Sequence, residues 1–167
     1  MSDDAPQIRF ASSDDAATIV RFVRGLAAFE REPASSVRLS EADILRDGFG
    51  EQPRFESLIA ERAGRPVGFA LFFPNYSTWE GRPGLFIEDL FVEEAERGRG
   101  VGRALLAACA RVALDRGWGR LELSVLDWNP ARRFYARLGM QQSETWLPYR
   151  LEPEGVAALA SEARPPD

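Results

Sequence analysis

The stretch from Leu85 to Leu106 limits the possible folds of this chain more than any other. It opens with the apolar run Leu85-Phe86-Ile87-Glu88-Asp89-Leu90-Phe91-Val92 and passes through Glu93-Glu94-Ala95-Glu96. It then turns through Arg97-Gly98-Arg99-Gly100-Val101-Gly102 and continues as Arg103-Ala104-Leu105-Leu106. A short run of large apolar residues predicts a buried strand. Alternating glycines predict a tight turn free of side chains, and the Leu/Ala-rich continuation predicts a helix. Such a turn gathers several backbone N–H groups and the positive end of a helix dipole at one point. That point favours an anion, and a pyrophosphate fits best. A dinucleotide fingerprint needs G-x-G-x-x-G, but counted from Gly98 its last glycine falls on Arg103. A Walker A loop needs a Gly-Lys pair, and none follows. What remains is R-G-x-G-x-G behind a strand. The plainer alternative is a glycine turn with solvated arginines.

The 167 residues suit one domain spanning 1–167, with short disordered tails at 1–5 and 164–167. A net charge of -5 disfavours nucleic acid as a partner and suits a cationic substrate. No apolar run is long enough to cross a membrane, and the N-terminus lacks the basic and apolar regions of a secretory signal. With Cys109 as the one cysteine no internal disulfide forms, so a cytoplasmic location is expected. The chain has no histidine, which removes His-based triads and His metal sites, and no metal is expected.

Gln7 to Ala11 reads as a strand. Ser12 or Ser13 caps a helix with apolar positions Ala16, Ile19, Phe22, Val23, Leu26 and Phe29. Ser40 and Asp43 resemble a capping pair for a second helix ending near Gly48. Phe55 to Arg62 and Val67 to Phe73 read as a hairpin around Ala63-Gly64-Arg65-Pro66, and Pro74 to Gly84 as a polar loop. The glycine turn feeds a helix from about Gly100 to Arg116, with Val101, Leu105, Cys109 and Val112 on its buried face. Cys109 is therefore read as a small core hydrophobe. Arg120 to Leu126 is the next strand. Asn129-Pro130 starts a helix with Asn as cap and Pro first in the helix. Met140 to Trp146 and Tyr149 to Leu151 are expected as a last pair of strands, and Glu154 to Ala163 as a short helix. The order gives an α/β (α+β) fold with a mixed, mostly antiparallel sheet of about seven strands and helices on both faces.

The glycine loop resembles the coenzyme A loop of the GNAT N-acetyltransferase superfamily. Further stretches extend the likeness over most of the chain: Tyr76-Ser77-Thr78-Trp79-Glu80-Gly81-Arg82, Ile87-Glu88-Asp89-Leu90-Phe91-Val92, Leu126-Asp127-Trp128-Asn129 and Phe134-Tyr135-Ala136-Arg137-Leu138-Gly139. Leu26-Ala27-Ala28-Phe29-Glu30 and Asp47-Gly48-Phe49-Gly50-Glu51 add to it. Together they resemble the diamine acetyltransferase branch, which acts on spermidine, spermine or thialysine. The resemblance implies a GNAT fold and transfer of an acetyl group from acetyl-CoA to a primary amine of a small diamine, polyamine or lysine-like molecule, by direct attack. It also implies a homodimer, for which Trp146, Leu147, Tyr149 and the C-terminal helix offer apolar area.

Residue roles follow from the same likeness. Glu88 is the candidate base, acting through a water, and Tyr135 the candidate acid that protonates the leaving thiolate. Leu90, Phe91 and Val92 would bond the pantetheine arm. Arg97, Gly98, Arg99, Gly100, Val101, Gly102 and Arg103 would hold the pyrophosphate, with Asn129 a further coenzyme ligand. Phe29, Glu30, Ser77, Trp79, Glu88 and Glu144 would receive the amine. Ser77 stands where the polyamine enzymes carry an acidic residue, which favours a shorter diamine or lysine-like amine. Asp89 is read as structural, facing the opposite side of the strand from Glu88. The interval from Asn129 to Tyr135 is one residue shorter than the family pattern. Two other functions share the scaffold: a protein lysine or N-terminal acetyltransferase, which would need an open groove beside Tyr76 to Gly81, and a non-catalytic acyl-CoA sensor.

Overall fold

A computed structural model describes residues 5–164, so most of the tails expected at 1–5 and 164–167 lies outside the described residues. The chain divides into two compact units, one ending at Asn129 and one beginning at Pro130. The first unit holds β1 (Gln7–Phe10), α1 (Ala16–Phe29), α2 (Glu41–Phe49), β2 (Glu56–Arg62), β3 (Arg65–Ser77), β4 (Arg82–Val92), α3 (Val101–Asp115) and β5 (Leu121–Leu123). The second holds α4 (Ala131–Arg137) and α5 (Pro153–Ala160).

The strands form one sheet in the order β1-β2-β3-β4-β5, antiparallel except for the parallel β4–β5 pair. Its central strands are apolar on both faces because helices cover both. On one face Ile59, Phe69 and Leu71 pack with Ile19, Val20 and Phe22 of α1 and Ile44 of α2. On the other, Leu58, Ala70 and Phe72 alternate with them along the strands, and α3 contributes the buried residues Val101, Leu105, Leu106 and Cys109. Burial pushes the Cys109 thiol up to about 12, as befits a core hydrophobe rather than a nucleophile. The pairing of Ser40 with Asp43 is realised as a capping box, in which the Ser40 side chain accepts from the Asp43 N–H.

Three expectations fail. Among the described residues the sheet has five strands, not about seven. Residues 140–151 form no ladder; they are exposed almost throughout, with Leu147 at 73% and Tyr149 at 94%. A strand needs a paired edge to satisfy its backbone. Here a polar start (Gln141, Gln142, Ser143, Glu144) and Pro148 interrupt the only apolar run. The polar stretch from Pro74 to Gly84 is mostly strand. β3 runs through to Ser77 and β4 starts at Arg82, with only a turn between them, closed by a hydrogen bond from Gly81 N–H to Ser77 O of 2.8 Å. Pro74 is tolerated because its partner Leu85 sends its own N–H the other way, to Arg120 O at 2.8 Å. Finally, the helix after Asn129 starts at Ala131, with Pro130 as its N-cap, one residue later than the dipeptide suggests.

Candidate active site

The site begins with an irregularity in β4. Ile87 pairs with Phe72 and Asp89 pairs with Leu71, which are neighbours on β3. Glu88 is therefore an extra residue without a partner, a β-bulge. The bulge resets the alternation. Asp89 lies opposite Leu71 and in phase with Phe91, on the face covered by α1, although it is two residues from Ile87 on the other face. Glu88 is exposed and Asp89 half-buried. Burial, then the Glu88 charge, then the Glu30 charge push the Asp89 carboxyl up to about 6. Glu30, the residue that caps α1, has its own carboxyl raised by burial and by Glu32. The Glu88 and Glu30 charges thus both act on the Asp89 carboxyl, which is poised to take a proton near neutral pH.

The same bulge marks where the sheet opens. β5 pairs with β4 only from Leu85 to Ile87, so beyond Glu88 no strand among the described residues pairs with it on that side. An extended chain carrying amides can add to such an edge. At the end of β4 the chain enters the glycine turn. Gly98 and Gly100 have φ of +75° and +84°, a conformation that side chains other than glycine's resist. No atom lies within 4 Å of where a Cβ would sit on either, so a ligand can approach the backbone directly. The first helical bond of α3 runs from Ala104 N–H to Gly100 O at 3.0 Å, which leaves the N–H groups of Val101, Gly102 and Arg103 at the positive helix end.

Below the turn, the carboxylate of the buried residue Glu96 draws in Arg62 at 3.0 Å and Arg99 at 3.1 Å. Arg97 donates through Nε to Val92 O at 3.0 Å, and its guanidinium lies 4.6 Å above the Phe29 ring. Phe29 in turn faces Trp128 at 6.4 Å between ring centres. Asn129 is buried and closes the segment with a bond from its N–H to Leu126 O at 3.0 Å. Arg97 and Arg99 therefore brace the turn, while the N–H groups of Val101, Gly102 and Arg103 and the Arg103 side chain remain to meet an anion.

A strand that parts from its neighbour at a bulge, followed by a left-handed glycine turn into a helix, matches a known pattern. The acetyltransferase (GNAT) family profile fits residues 22–140. The chain belongs to this family. It is 40% identical to the thialysine N-epsilon-acetyltransferase of Mus musculus, over 92% of this chain and 96% of that one. It is 39% identical to the enzyme of the same name from Bos taurus, with the same coverage. An integron cassette protein from Vibrio cholerae superposes with a TM-score of 0.77 at 23% identity, covering 93% of this chain and 97% of that one, which shows the shared fold. The chain is an acetyl-CoA-dependent N-acetyltransferase.

The structure places the other expected residues of this acetyltransferase as follows. Glu30, Glu88 and Asp89 come together as described, with Phe29 beside Arg97. Ser77 is the buried last residue of β3, and its Oγ accepts from the Glu80 N–H at 3.2 Å, so it shapes the hairpin turn. Trp79 sits in that turn, 88% exposed. In the second unit, Tyr135 is half-buried on α4 with its ring 5.4 Å from Phe134, and Glu144 is exposed in the irregular segment. Asp89 is the residue that sequence reasoning passed over. Strict alternation puts it in phase with Ile87, whereas the bulge puts it on the face covered by α1. The only hint in the sequence was two adjacent carboxylates in an otherwise apolar strand.

Proposed function

We propose that this acetyltransferase acetylates the side-chain amine of a small lysine-like molecule or diamine. The observation that carries the reading is the pair Glu88 and Asp89 beside the open edge of β4, with the Glu30 charge acting on Asp89. A free alkylamine has a pKa of about 10.4, so only about one molecule in a thousand is neutral at pH 7.4. Carboxylates near the acceptor site bind the ammonium form and then accept its proton, directly or through water. Asp89, raised to about 6, is suited to that step, and Glu88 on the bulge shares it. The relatives named as thialysine acetyltransferases support an amine of this kind.

The residues present fit acetyl-CoA. The N–H groups from Gly98 to Arg103 and the Arg103 side chain would receive its pyrophosphate, and the β4 edge from Leu90 to Val92 that pairs with no strand among the described residues its pantetheine amides, with Asn129 alongside. When bound, it supplies the acetyl group as a thioester. Tyr135 is the proposed donor of a proton to the departing sulfur. A Tyr135→Phe variant is expected to bind acetyl-CoA as before and to lose turnover, which a thiol-release assay alongside a binding titration would read.

The substrate assignment is tested by following thiol release over a panel of thialysine, lysine, ornithine, short diamines, spermine and lysine-containing peptides. Turnover highest on the lysine-like molecules and short diamines is expected. A clear win for peptides or spermine overturns the reading. Two further parts of the proposal are a cytoplasmic enzyme and a homodimer. The second is supported by the exposed Trp146, Leu147 and Tyr149 and is checked by light scattering.

A further inference from the structure

The end of α1 carries a residue that its backbone conformation disfavours. Arg31 has φ of +63°, in the left-handed region where glycine is the usual occupant. The hydrogen bonds show why the chain must turn there. Arg31 N–H donates to Ala28 O at 3.2 Å and Glu32 N–H to Ala27 O at 2.9 Å, the pair of bonds that closes a helix in a Schellman motif. Glycine would hold this position at less cost, by about 1 kcal/mol. An arginine there needs a reason in its side chain.

Its guanidinium carbon lies over the Trp128 ring, 4.1 Å from the ring centre. A guanidinium held over a ring face uses none of the N–H groups of its fork as hydrogen-bond donors to a carboxylate and keeps them for one. That fork makes no hydrogen bond or ion pair among the described residues. Glu30, the preceding residue, is within electrostatic reach of Asp89. A cation whose N–H groups have no partner among the described residues therefore follows directly on Glu30, whose charge acts on Asp89.

We propose that Arg31 reads a carboxylate on the amine substrate, so that the enzyme selects amino acids bearing a side-chain amine over the corresponding diamines. The proposal rests on the acetyl-transfer reading above and narrows its substrate class. An α-amino acid head group presents a carboxylate and an ammonium on adjacent bonds. Arg31 and Glu30 present the two complementary charges on adjacent residues. A diamine presents a second ammonium instead, which Arg31 repels. Trp128 holds the fork in place, so little side-chain freedom is lost on binding.

Lysine and 1,5-diaminopentane differ only in the carboxylate, as do ornithine and 1,4-diaminobutane. We expect wild type to favour the amino acid of each pair by about tenfold or more in kcat/KM, the range of one charge-assisted pair. Arg31→Gly, which suits the backbone, is expected to melt no lower than wild type. It should bring each pair close to parity through a higher KM for the amino acid and a lower KM for the diamine. Arg31→Lys should retain part of the preference. An unchanged ratio in Arg31→Gly, or a wild type that prefers the diamine, overturns the proposal while turnover itself upholds acetyl transfer. No turnover on any amine refutes the underlying reading instead.

Discussion

Asp89→Asn should lower kcat/KM for the amine by about 10³-fold, within the usual range for removing a positioned acid–base group. The same change should stabilise the protein at pH 8. The Asp89 carboxyl sits at about 6 in the folded chain, against 3.8 ordinarily, because burial and the Glu88 and Glu30 charges disfavour its ionised form. Its folded value is raised, so the folded state holds the proton more tightly than the unfolded one. Stability therefore falls as pH climbs from about 4 to about 6 and stays low above that. With a discount for partial exposure, the ionised group costs about 2 kcal/mol at pH 8. Asparagine carries no such cost, so denaturant unfolding should show a gain of that size at pH 8 that vanishes by about pH 4. In wild type, kcat/KM should rise with pH through an apparent value of about 6 as Asp89 loses its proton. A variant that is inactive and less stable at pH 8 would mark Asp89 as a structural residue.

Gly100→Val should cost acetyl-CoA binding about 100-fold while leaving the fold in place. Two effects are separable here. The backbone at φ +84° resists a branched side chain, which is expected to cost about 1–2 kcal/mol of stability. Within the protein a Cβ at this position meets no atom within 4 Å beyond its chain neighbours. The loss of affinity therefore comes from the ligand side, where the methyl groups stand between the pyrophosphate and the N–H groups at the start of α3. Two such bonds to a charged group account for the expected loss. Titration calorimetry with acetyl-CoA and a thermal melt on one sample distinguish the two. Binding unchanged at full occupancy would place the coenzyme elsewhere.

Much of this was legible in the sequence because it is written in local chemistry. Gly98 and Gly100 announced a turn only glycine tolerates, and Ser40 with Asp43 a helix start. The apolar runs announced the central strands. What escaped depended on partners distant in the chain. The bulge at Glu88 arises from the register between β3 and β4, and no property of Glu88 itself reveals it. It places Asp89, in phase with Leu71 and Phe91, on the face covered by α1. Pro74 read as a loop residue because its missing N–H matters only if the pairing demands it, and the pairing does not. The apolar residues from Trp146 to Leu151 suggested strands, yet alternation cannot make a strand without an edge to pair with. Arg31 carried no sequence signal, because its conformation and its stack on Trp128 exist only once α1 ends beside the segment before Asn129.

The central claim is that the open edge of β4 and the glycine turn hold acetyl-CoA with its thioester beside Asp89 and Glu88. A crystal structure of the protein soaked with coenzyme A tests it most directly. The account predicts pyrophosphate density on the N–H groups between Arg97 and Arg103, pantetheine along Leu90 to Val92, and the sulfur next to the carboxylates of the bulge. Coenzyme density away from the glycine turn, or a sulfur far from Asp89 and Glu88, would contradict it.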